Sequence, residues 1–162
     1  MNHIAIICLI IITGYLIITV KIFGVPKSIS DSWYLYGKKG WSDIFSWFII
    51  GLGCLVALMP LVYTYKNDSS VLLVATGAFL CGIGISSNFK DKQPGLIHVV
   101  CTYVSTAGAM TAHIVENWPR FDSFLPLAVS VLGLILLKVF KVSNFTFWIE
   151  IILLYSILGF MI

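Results

Sequence analysis

Few side chains in this chain can carry chemistry, and the densest set repeats at helical spacing. His98, Thr102, Ser105, Ala109, His113 and Glu116 follow one another at steps of three or four, which places them along one face of a helix. Their neighbours are apolar, and polar groups within a bilayer cost several kcal/mol unless they have a partner or a purpose. A stripe of this kind is expected to face a bundle interior, a water-filled cavity or a bound headgroup. Thr and Ser can also bond back to carbonyls of their own helix, so both readings stay open for Thr102 and Ser105. A histidine at the start of the stripe suits proton transfer, metal ligation, a hydrogen bond to a lipid phosphate, or merely a satisfied interfacial contact. His113 and Glu116, near Trp118 and Arg120 at the other end, read as part of an interfacial ion pair.

Glu150 is the most costly residue to bury, set among Phe147, Trp148, Ile151 and Ile152. Lys138 lies at a comparable depth on the other arm of a short hairpin. The two can pair, offsetting much of the burial cost, or Lys138 can snorkel to the interface; a protonated Glu150 is the third option. With Asp31, His98 and Glu150 form a set suited to acid–base work or metal ligation, yet no close ligand spacing supports a metal site. The nucleophile elbow G-x-S-x-G, the zinc signature H-E-x-x-H and phosphate-binding loops are all missing. No cofactor is expected, and the sequence leaves open whether the protein is an enzyme.

The elements that must position these groups follow from composition. With 59% hydrophobic and only 10% charged residues, the chain lacks the polar exterior of a soluble domain. Six apolar stretches, about 4–23, 44–63, 71–87, 96–115, 121–140 and 145–162, each approach the roughly 17–25 residues of a membrane-spanning helix. The expected fold is all-α: a polytopic integral membrane protein forming one six-transmembrane-helix bundle over residues 1–162. The first stretch has no basic leader or small-residue cleavage pattern and is expected to remain as a span. Gly24-Val25-Pro26 ends it, the longest connection follows with aromatics suited to the interface, and Ser42-Asp43 reads as an N-cap for the second span.

Basic residues divide unevenly between the connections. Lys21, Lys27, Lys38, Lys39, Lys90, Lys92, Lys138 and Lys141 belong to loops 1, 3 and 5, against Lys66 and Arg120 on the other side. By the positive-inside rule loops 1, 3 and 5 are cytoplasmic and both termini non-cytoplasmic. No basic face with aromatic platforms suggests nucleic acid. Cys8, Cys54, Cys81 and Cys101 fall in different spans without close pairs and are expected to pack as small hydrophobes. Ala78, Gly82 and Ser86 recur every fourth residue and could admit a close helix, from within the chain or from a membrane-protein partner.

Two segments together resemble a known family. Ile29-Ser30-Asp31-Ser32 follows Pro26, and Gly84-Ile85-Ser86-Ser87-Asn88-Phe89-Lys90 precedes His98 by a fixed short stretch. The order is similar to that in the six-span family of damage-regulated autophagy modulators, GPI-anchor lipid-remodelling proteins and their bacterial relatives. The chain departs from it at Ser32-Trp33 and at Cys101-Thr102, where the family favours threonine–glycine and glycine–alanine. The resemblance implies a role in membrane lipid organisation or lipid-anchor remodelling, with Asp31, Asn88 and His98 as the carried-over polar positions. The leading expectation is a small membrane protein with a polar cavity near the cytoplasmic face, lined by Asp31, Asn88, His98, Thr102, Ser105, Lys138 and Glu150, that binds or modifies a membrane lipid. A non-catalytic accessory subunit and a small transporter or ion pathway along the polar face of span 4 are the alternatives.

Overall fold

The computed structural model describes residues 2–86, 92–159 and 161–162, with only the backbone at 92–94. Asn88 therefore lies outside the described residues, with Ser87, Phe89 and Lys90 of the family-like segment and Asp91; the rest of loop 3, from Lys92, forms the start of α5. Among the described residues every regular element is helical: α1 (His3–Phe23), α2 (Ser32–Gly37), α3 (Asp43–Val62), α4 (Asn67–Ile85), α5 (Lys92–Asn117), a 3-10 turn (Phe121–Phe124), α6 (Leu125–Val139) and α7 (Phe145–Gly159).

Local chemistry accounts for most boundaries. Asn2 caps α1 by accepting the Ala5 amide at 3.1 Å. Gly24 stops it in a left-handed conformation, φ 74°, open to glycine at little cost. α4 starts four residues before the expected apolar stretch, because Asn67-Asp68-Ser69-Ser70 forms its first turn with an acidic residue at the positive end of the dipole. The expected Ser42 cap is not made: Ser42 keeps helical backbone angles, and its hydroxyl instead donates to Asp43 at 3.4 Å. Loop 1 is not a plain connection, since its aromatic segment folds as the short helix α2. The fifth stretch opens as the 3-10 turn before α6.

Five segments are long and apolar enough to cross a membrane: His3–Phe23, Asp43–Val62, Asn67–Ile85, Gly95–Asn117 and Phe121–Val139. The last apolar stretch, expected over 145–162, holds the shorter helix Phe145–Gly159. Outward-facing Ile10, Leu61, Val71, Leu132 and Phe140 are largely exposed, which suits contact with lipid and not with water. The protein is thus a membrane-embedded helical bundle.

α3, α4 and α5 form its tight body. At the α3–α4 crossing a Cβ on Gly77 would lie 2.5 Å from the Gly53 carbonyl oxygen, and one on Gly53 would lie 2.6 Å from that of Gly77; only glycines allow this approach. Gly82 is likewise used inside the chain, against Cys101 of α5. Ser86 is buried and bonds the Gly82 carbonyl, so of that small-residue stripe only Ala78 is exposed. α6 packs mainly on α7, through Gly133 against Ile152 and Ser130 to Ser156 at 2.9 Å. By contrast α5 meets α7 at only a few residues, and a crevice remains between them. None of the four cysteines is in a disulfide; Cys8 and Cys101 are buried, Cys81 is partly buried and Cys54 is exposed.

Candidate functional site

Loop 1 is held down on the bundle by contacts to three helices. Tyr15 of α1 hydrogen-bonds Ser32, Thr19 meets the Tyr36 hydroxyl at 3.0 Å, and α2 packs against α3. From α7, the Phe147 amide donates to the Lys27 carbonyl at 3.0 Å. At the adjoining turn, the Asn144 amide group donates to Val25 at 3.0 Å. Ile29, Ser32 and Tyr36 are buried in consequence. Loop 1 is therefore a fixed roof.

Under that roof the polar residues of distant segments converge. The Ile29 amide donates to Glu150 Oε2 at 2.5 Å. The next residue, Ser30, places its Oγ 2.8 Å from His98 Nε2. His98 is only 6% exposed, and the backbone of Ile83 in α4 and of Ser86 just past its end lies near its ring. Asp31 lies close enough to Glu150 for their charges to interact, and its amide donates to Ser28 Oγ at 3.0 Å. Two successive loop residues thus tie α7 to α5.

Lys138 does not join this group. It is exposed in the last turn of α6, and among the described residues no ion pair connects it to Glu150. The backbone amide of Ile29 replaces the expected lysine as the partner of the carboxyl, and the lysine snorkels outward. Thr102 and Ser105 follow the local reading in part, donating to the carbonyls of His98 at 2.8 Å and Thr102 at 3.1 Å. Both also line a cavity.

That cavity, about 90 Å³, is bounded by Ile29, Ser30 and Glu150 beneath loop 1 and by Thr102, Ser105 and Thr106 along α5, with Phe45, Ile49, Leu52, Leu80, Ile83, Leu153, Leu154 and Ile157 as its other walls. A second, of about 50 Å³, shares Ser105, Thr106, Leu154 and Ile157 and continues to Ala109 and Met161. Together they form a crevice along the polar face of α5 whose walls are mostly Leu and Ile. The end beneath loop 1 carries Ser30 and the Glu150 carboxyl; beyond it the walls are mostly apolar, with Thr102, Ser105 and Thr106 along α5.

At the far end Met161 also borders a cavity of about 340 Å³ with Tyr65, His113, Glu116, Asn117, Arg120 and Asp122. The expected ion pairing there is redistributed. Arg120 pairs with Asp122 at 2.6 Å, while Glu116 accepts the Lys66 amide at 2.9 Å. Burial, then the Glu116 charge, raise the Tyr65 phenol above its ordinary pKa. It therefore remains neutral and accepts from Asn2 at 2.6 Å. No group of three or more His, Cys, Asp or Glu side chains among the described residues is arranged to hold a metal ion.

Ser30, Ile29 and Thr106 were not singled out by their types. Ser30 sits within the Ile-Ser-Asp element, but its partner is 68 positions away, a relation that no local spacing carries. The chain matches no family model, no curated protein and no solved structure.

Proposed function

We propose that this is a six-span membrane protein that binds one membrane lipid, its acyl chain in the α5–α7 crevice and its polar end beneath loop 1. The observation that carries the reading is the gradient along one crevice, from Ser30 and Glu150 beneath loop 1 to Leu and Ile walls further along it. Small-molecule sites commonly combine an apolar interior with a few convergent polar groups. The resemblance of the Ile-Ser-Asp element and His98 to the lipid-remodelling family points the same way.

Support for a sixth span comes from α7. Its first turn bonds Lys27, at the level where α1 has ended, and the chain beyond it reaches Ile162, whose carbonyl accepts the Asn2 amide at 3.3 Å. Its course thus covers the height of the 21-residue α1, about 31 Å at 1.5 Å per residue. Loop 1 and the α6–α7 turn, which carry most of the lysines in the described connections, then share one end of the bundle, and the positive-inside rule supports reading that end as cytoplasmic.

Native mass spectrometry of protein released from phospholipid nanodiscs tests lipid binding. Wild type should retain one lipid mass, and Ser105→Trp, which fills the crevice, should lose it while keeping its helical circular dichroism. Equal retention by both proteins would refute the site. A transport reading draws on the sharing of Met161 between the crevice and the far polar cavity. It requires aqueous labelling of cysteines placed at Thr102, Ser105 and Ala109, which the lipid-binding reading expects to be protected.

A further inference from the structure

Ser30 Oγ and His98 Nε2 stand 2.8 Å apart, within the reach that a serine nucleophile and its general base require. The two come from a loop and a helix that share no local sequence relation, and both backbones are held: Ser30 between the Glu150-bound Ile29 amide and the Ser28-bound Asp31 amide, His98 within α5. With the ring proton on Nδ1, Nε2 presents a lone pair to the serine hydroxyl. A hydroxyl within hydrogen-bond reach of an imidazole is the core of an activated nucleophile. Among the described residues the Ser30 amide has no hydrogen-bond partner, so it is available to a developing oxyanion. Ser30, not His98, lines the crevice. The nucleophile faces the cavity and the base stands behind it.

We propose that Ser30 and His98 form a nucleophile–base pair that transfers the acyl group of a long-chain carboxylic ester lying in the α5–α7 crevice. This rests on the lipid-binding reading above and names its reaction and substrate class. Ser30 Oγ bonds to the ester carbonyl carbon as its proton passes to His98 Nε2. The tetrahedral adduct collapses with cleavage of the carbon–alkoxy bond, the alkoxide takes the Nε2 proton and departs as an alcohol, and Ser30 is left as an acyl ester. Water or a second alcohol then gives its proton to Nε2 and attacks the acyl carbon. Ser30 Oγ leaves and recovers the proton, releasing a fatty acid or a new ester. Ser28 serves as the internal control, because it lies in the same loop but its hydroxyl is bound to the Asp31 amide.

The test uses the full chain in nanodiscs with a long-chain alkyl fluorophosphonate, reading the modified residue by peptide mass spectrometry. Wild type should be labelled at Ser30 in preference to Ser28. Ser30→Ala should abolish labelling, and His98→Ala or His98→Gln should slow it by at least about 100-fold, the lower range for loss of a general base. Hydrolysis of p-nitrophenyl esters should favour a sixteen-carbon over a four-carbon chain. Labelling of Ser30 no faster than Ser28, or at a rate indifferent to His98, would overturn the pair as catalytic; faster hydrolysis of the short ester would overturn the substrate class. Lipid retention by native mass spectrometry is read in parallel. Retention without Ser30 labelling defeats the nucleophile and leaves lipid binding standing, whereas His98-dependent labelling without retention sustains the nucleophile and defeats the binding reading.

Discussion

Glu150→Ala tests the roof most sharply. The carboxyl accepts the Ile29 amide at 2.5 Å, and Ile29 is only 5% exposed. Removing the acceptor leaves a shielded amide without a hydrogen bond, which costs about 1–3 kcal/mol. At 1.4 kcal/mol per tenfold, protection of that amide should fall roughly 5- to 150-fold. Loss of the Asp31–Glu150 charge interaction opposes part of this, so the lower half of the range is expected. Glu150→Gln keeps a side-chain carbonyl able to accept and should retain most of the protection. The assay is hydrogen–deuterium exchange in nanodiscs, read on a peptide covering 27–31. Unchanged exchange in the Ala variant would refute the assignment of Glu150 as the anchor of loop 1, as would equal losses in Ala and Gln.

Gly77→Ala should lower the thermal midpoint by an amount equivalent to about 1–3 kcal/mol, because its Cβ meets the Gly53 carbonyl; Gly51→Ala, with open space around it, should be nearly neutral in the same melt. Lys138→Gln should leave exchange at 27–31 unchanged, since the lysine does not contact Glu150. Asn2→Ala removes the α1 cap and should cost about 0.5–2 kcal/mol, seen as faster exchange in the first turn. Cysteines placed at Lys39 and Lys66 should react with impermeant maleimide from opposite sides of a sealed vesicle.

The helices were legible because each is an apolar run, and the end of α1 also because Gly24 precedes Pro26; the cap at Asn2 was not read, and the one expected at Ser42 is not made. α4 departed from its expected start because the polar turn at Asn67 continues the helix, which hydropathy alone does not register. The site was legible by class and only partly by partner. His98, Glu150 and Asp31 announce themselves as polar groups that a membrane makes costly. Glu150's partner, however, is a backbone amide, and every residue but proline carries one. For Lys138 hairpin depth left pairing with Glu150 and snorkelling both open, and its exposed position in the last turn of α6 selects the second. The importance of Gly53 and Gly77 lay in a crossing between two helices, and no single-helix pattern marks that geometry.

The most direct measurement of lipid binding in the crevice is photocrosslinking in nanodiscs with a phospholipid bearing a diazirine near the end of one acyl chain. Crosslinks within 102–106 of α5 and 153–157 of α7, removed by Ser105→Trp, are the expected result. Crosslinks confined to outward-facing positions such as Ile10, Leu61 and Leu132 would contradict it.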